Sequence, residues 1–124
     1  MDSHDKRIVG RWLLPSPIFC NWNVRRRALR RRETYIEAEI IDLSVAGALV
    51  RTSRPDPRRR GDEVVLRSGD RHAVVKVRYT NSSHTEFGVE FQGRSQLRDE
   101  LLDHLESVLP DGKDRRRYWH SRMP

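Results

Sequence analysis

This chain has one cysteine, Cys20, and only three lysines, Lys6, Lys76 and Lys113. One cysteine excludes an intramolecular disulfide and any cysteine-based metal cluster, and it fits a reducing compartment. No run approaches the ~18 apolar residues of a membrane span. The first residues carry Asp2, Asp5, Lys6 and Arg7 and lack a long apolar stretch, so they do not read as a signal peptide. The five histidines, His4, His72, His84, His104 and His120, lack metal-ligand spacing. No nucleophile motif appears, and Cys20 falls in an apolar strand where thiols are inert. The expectation is a cytoplasmic protein with no membrane span, no cofactor and no enzymatic activity.

What the chain has in quantity is arginine. Lysine and arginine total 25 against 18 acidic residues, a net charge of +7 over 124 residues. A basic surplus of this size predicts an anionic partner. The planar fork of arginine suits guanine and phosphate. The length is that of one domain with a modest core.

The organising stretch is Ile40 to Arg51, two apolar runs around the turn Asp42-Leu43-Ser44-Val45-Ala46-Gly47. β-Branched residues favour strands on both sides, and Asp and Ser suit the turn. Upstream, Met1 to Arg11 reads as a polar arm, and Trp12 to Pro17 as extended or turn-like because of its two prolines. Ile18 to Val24 reads as a first strand, although Phe19 and Trp22 cannot both face inward in regular alternation. Arg25 to Arg32 reads as a basic connection. Tyr35 to Ile41 alternates, with Ile36, Ala38 and Ile40 on one face and Ile41 on the other.

Ala48 to Thr52 is a third strand, ended by Pro55 to Gly61. Val64 to Leu66 is a fourth, and Ser68-Gly69-Asp70 a hairpin turn. In the fifth, Ala73, Val75, Val77 and Tyr79 share one face. In the sixth, Phe87, Val89 and Phe91 share one face with Gly88 on the other, where a glycine marks a bulge or room for a partner. Ser95 is a candidate N-cap for a helix carrying Leu97, Leu101, Leu102, Leu105, Val108 and Leu109 at helical spacing. Pro110 to Gly112 stops it. The fold class this predicts is mainly β, a six-stranded antiparallel β-barrel with a C-terminal α-helix. The organisation is an arm over residues 1–11, the barrel and helix over 12–110, and a basic tail over 111–124.

An Asp-x-Ser-x-x-Gly turn between strands, a late Phe-Gly-Val-Glu-Phe strand and a terminal leucine-rich helix together resemble a PilZ domain. That family is a six-stranded barrel that binds the bacterial second messenger cyclic di-GMP. Its second motif, Arg-x-x-x-Arg on an arm before the first strand, is matched by Arg7-Ile8-Val9-Gly10-Arg11, with Lys6 in front. The resemblance runs from about Lys6 to Leu109. Arg-x-x-x-Arg alone carries little weight, since about four chance matches follow from composition. Arg26/Arg30, Arg27/Arg31, Arg54/Arg58, Arg67/Arg71 and Arg94/Arg98 are rivals. Position favours Arg7/Arg11, because Arg26/Arg30 would leave too few residues before Asp42 for a strand and its turn.

The resemblance implies a ligand site of Lys6, Arg7, Arg11, Trp12, Asp42, Ser44 and Gly47. Guanidinium forks would meet the O6 and N7 acceptors of guanine or stack on its face. Asp42 would accept from the Watson–Crick edge, Ser44 would meet phosphate or sugar, and Gly47 would leave room for the ligand. Trp12 would stack on a guanine or fold into the barrel mouth. An unidentified downstream protein would read the change when ligand orders the arm. Two alternatives stay open at this point. One is a basic barrel that binds single-stranded nucleic acid through Trp12, Trp22 and Tyr35 near arginine clusters. The other is a ligand-free scaffold of the same fold that contacts proteins.

Overall fold

The computed structural model describes residues 11–24 and 34–108. Lys6, Arg7, the Arg25–Arg32 block and the C-terminal tail lie outside them. Six strands follow in order: β1 (Trp12–Val24), β2 (Thr34–Leu43), β3 (Gly47–Thr52), β4 (Glu63–Ser68), β5 (Arg71–Thr80) and β6 (Glu86–Phe91). Helix α1 (Gln96–Val108) closes the chain of elements. All neighbours pair antiparallel in the order β1-β2-β3-β6-β5-β4, and β4 returns to β1 through Asn21, Trp22 and Asn23, so the sheet is a closed barrel. Closure pairs strands that would otherwise be open edges.

Alternation explains most of the barrel. Ile36, Ala38 and Ile40 of β2, Ala73, Val75 and Val77 of β5, and Phe87, Val89 and Phe91 of β6 all point into one core. Each fully buried aliphatic or aromatic side chain contributes about 1.5–3 kcal/mol. Trp22 resolves the register of β1: it is inside, 4.6 Å centroid to centroid from Phe87, while Phe19 is 65 % exposed. The Trp22 indole Nε1 donates at 2.6 Å to the buried carboxylate of Asp56, on the loop after β3. That loop therefore anchors one side of the core.

β1 begins six residues earlier than its alternation indicates. Pro15, Ser16 and Pro17 sit within it, exposed, in a stretch that shifts register and pairs with neither neighbouring strand. Missing proline N–H groups cost nothing there. Ser95 caps α1 as expected, with its hydroxyl accepting from Arg98 N at 3.1 Å. Leu97, Leu101, Leu102 and Leu105 form the buried stripe of the helix.

Two bulges break the alternation. On β2, Ile40 pairs with Val50 and Asp42 with Leu49, which leaves Ile41 as an extra residue. On β5, Val77 pairs with Val89 and Tyr79 with Gly88, which leaves Arg78 as the extra one. An extra residue inverts the inside–outside pattern beyond it. Leu43 thus joins the core and Asp42 turns to the outer side, while Tyr79 leaves the inner face where simple alternation puts it and is 47 % exposed.

Candidate functional site

The two inverted segments meet on one outer face, under Arg11. The residue stands immediately before β1, and its Nη2 lies 3.3 Å from Asp42 Oδ1 and donates at 2.7 Å to the Tyr79 hydroxyl. Asp42 is 1 % exposed, so the pair joins a partly exposed cation to a buried carboxylate. Burial disfavours the charge on Arg11, but the Tyr79 hydrogen bond and the nearby Asp42 charge outweigh it, and the guanidinium is held more firmly protonated than a free one.

The Asp42–Gly47 turn is closed by its own groups. Ser44 N donates to Gly47 O at 2.8 Å, and Gly47 N donates to Ser44 Oγ at 3.1 Å. Phe91 N donates to Ala46 O at 2.8 Å, which ties the turn to β6. Arg98 Nη2 donates to Val45 O at 3.1 Å, which ties it to α1. A turn held from three sides presents a fixed surface. Beside it is an open concavity of about 160 Å³ between the turn, β6 and the end of β5, with Arg11, Ser44, Gly47, Tyr79 and Glu90 in its lining.

The structure therefore brings together Arg11, Asp42, Ser44 and Gly47, and reassigns parts of the expectation. Asp42 sits behind Arg11 and outside the lining of the concavity, so in this arrangement it holds the arginine instead of facing a base. Gly47 is required by backbone packing: a Cβ built there would overlap the Val89 carbonyl oxygen. Trp12 takes the interior alternative. It is 2 % exposed within the core, so its ring is not offered to a ligand. Trp22 is equally buried, which removes two of the three aromatics on which single-strand binding depended. Lys6 and Arg7 fall outside the described residues.

Comparison with family models, with curated proteins and with solved structures returned no match. The site is thus characterised by its own geometry.

Three polar members of the concavity, Arg78, Tyr79 and Glu90, were not legible as site residues. Tyr79 reads as a core position by alternation, and only the bulge turns it outward. Glu90 lines the concavity with its carboxylate 3.4 Å from Arg78 Nη2. The signal that points to Tyr79 is Gly88, an isolated glycine in a strand directly across from it. Among the described residues no group of three or more metal-ligating side chains gathers, and no helix is long and apolar enough to cross a membrane.

Proposed function

We propose that this domain is a sensor for cyclic di-GMP, binding it across the outer face that carries Arg11 and the Asp42–Gly47 turn. The observation that supports the reading is the placement of Arg11 against Asp42 over a sequence separation of 31 residues, which joins the two motifs of the PilZ resemblance at one locus. The chemistry of that locus suits the ligand. Among the described residues both contacts of Arg11 run through Nη2, and the guanidinium fork carries five N–H donors of the kind that suit a phosphate or the O6/N7 edge of a guanine. Asp42 fixes the guanidinium so that less rotamer entropy is lost on binding.

At about 160 Å³ the concavity is smaller than the ~300–1,000 Å³ of enclosed small-molecule sites. A ligand with two guanines and two phosphates would lie across it and need a second set of donors. Lys6 and Arg7, a few residues upstream of Arg11, would supply them, and their capture would change the surface seen by a downstream protein.

Isothermal titration of cyclic di-GMP into the wild type and Arg11→Ala tests this reading, with GMP and cyclic di-AMP as controls. The expected result is saturable binding, selective for cyclic di-GMP. Loss of Arg11 should weaken it by about 1.5–3 kcal/mol, the scale of one charge-assisted contact. Absence of binding to the wild type, or equal binding by the variant, refutes the proposal. Binding of single-stranded oligonucleotides that falls steeply with salt would favour the nucleic-acid alternative instead.

A further inference from the structure

Resting on that reading, we infer that Tyr79 is a purine-stacking platform and a third component of the ligand site, beyond the arginine pair and the turn. The ring is placed by two independent features. The bulge at Arg78 turns it out of the core, and Gly88 supplies the space it occupies: a Cβ at position 88 would overlap ring carbons of Tyr79. The sheet therefore seats an aromatic ring on its outer surface and leaves 47 % of the residue exposed.

The open part of the ring adjoins the concavity. Arg11 covers only part of it: its Nη2 is 2.7 Å from the hydroxyl and its guanidinium carbon stands over the ring at 5.7 Å from the centroid, a cation–π contact, while 47 % of the residue stays exposed. The lining holds the Arg78–Glu90 pair together with small residues, Ala46, Gly47, Ala48 and Gly88, that contribute nothing beyond a Cβ. A flat base can slide onto Tyr79 over such a floor with its edge toward Arg11. Stacking supplies affinity, while the guanidinium fork reads O6 and N7 and supplies the preference for guanine.

The test is titration of cyclic di-GMP into the wild type, Tyr79→Phe and Tyr79→Leu, followed by calorimetry and by the NMR shift of the guanine H8 proton. An aromatic ring stacked on the base moves H8 upfield. The expected result is a clear upfield shift with the wild type and Tyr79→Phe. With Tyr79→Leu the shift disappears and affinity falls roughly ten- to a hundredfold, the range for loss of one base–aromatic stack. Tyr79→Phe, which loses only the hydroxyl facing Arg11, falls less. Gly88→Ala displaces the ring and should weaken binding in the wild type but add nothing in the Tyr79→Leu background. If cyclic di-GMP binds the wild type and Tyr79→Leu retains both affinity and shift, the platform is overturned and the sensor reading stands. If the wild type neither binds nor shifts H8, the sensor reading is overturned and the platform with it.

Discussion

The ring of Tyr79 occupies the space that any side chain at Gly88 would fill, across the β5–β6 pairing. Gly47, at the start of β3, is constrained differently, because its missing Cβ would meet the carbonyl oxygen of Val89. A side chain can rotate away, whereas a paired strand cannot.

Gly47→Ala is accordingly expected to destabilise by more than Gly88→Ala. Overpacking against fixed atoms costs about 1–3 kcal/mol, and here the β3–β6 pairing must also open. Gly88→Ala forces only the Tyr79 ring to move and regains some strand entropy. Urea unfolding of both variants, and of Gly88→Ala combined with Tyr79→Ala, checks this. Measured against Tyr79→Ala alone, the double variant should show no penalty for Gly88→Ala.

The Arg11–Asp42 pair makes a second prediction. Removing one partner of a fully buried ion pair costs about 3–5 kcal/mol. Arg11 is a third exposed, so Arg11→Ala should cost less, about 1–3 kcal/mol, because water reaches part of the site. Asp42→Asn keeps the shape and an acceptor oxygen and should cost less than Asp42→Ala. Thermal melting of the three variants orders them.

Trp22 and Asp56 couple the core to the loop after β3. Trp22→Phe keeps a ring against Phe87 but removes the 2.6 Å bond to Asp56, leaving the buried carboxylate to Arg58 at 3.5 Å. The expected loss is about 1.5–3 kcal/mol. The cycle with Asp56→Ala should be strongly non-additive, since each single change removes the same Trp22–Asp56 bond.

Cys20 is buried in β1, and loss of hydration, aided by the charge of Glu39, pushes its thiol from 9.0 up to about 12. The native protein should therefore resist alkylation at pH 8 and react only on unfolding. The linkage has a definite sign. Between pH 9 and 12 the unfolded chain has released this proton and the folded one retains it, so the contribution of Cys20, fully present below pH 9, is lost as pH rises through that window. Denaturant midpoints of the wild type and Cys20→Ala measured from pH 8 to 11 should show a steeper alkaline decline in the wild type.

The barrel was readable because its signals are local. Period-two runs, the Gly69-Asp70 hairpin and the Ser95-capped leucine stripe each declare one element, and six strands with short turns leave few ways to hide their edges. The Asp42–Gly47 turn and the position of Arg11 before the first strand are equally local. What the chain order could not reveal is which way Asp42 and Tyr79 point. Each depends on one extra residue, Ile41 or Arg78, whose place is set by the partner strand and not by its own neighbours. A one-residue slip reverses every later side chain, so alternation alone put Tyr79 in the core. Trp12 was likewise undecided until β1 folded it against the barrel interior. The sequence determined that a barrel would form and which turn would face Arg11. The pairing of distant strands decided that an acid and an aromatic ring would turn outward beneath that arginine, because only cross-strand register can place a bulge.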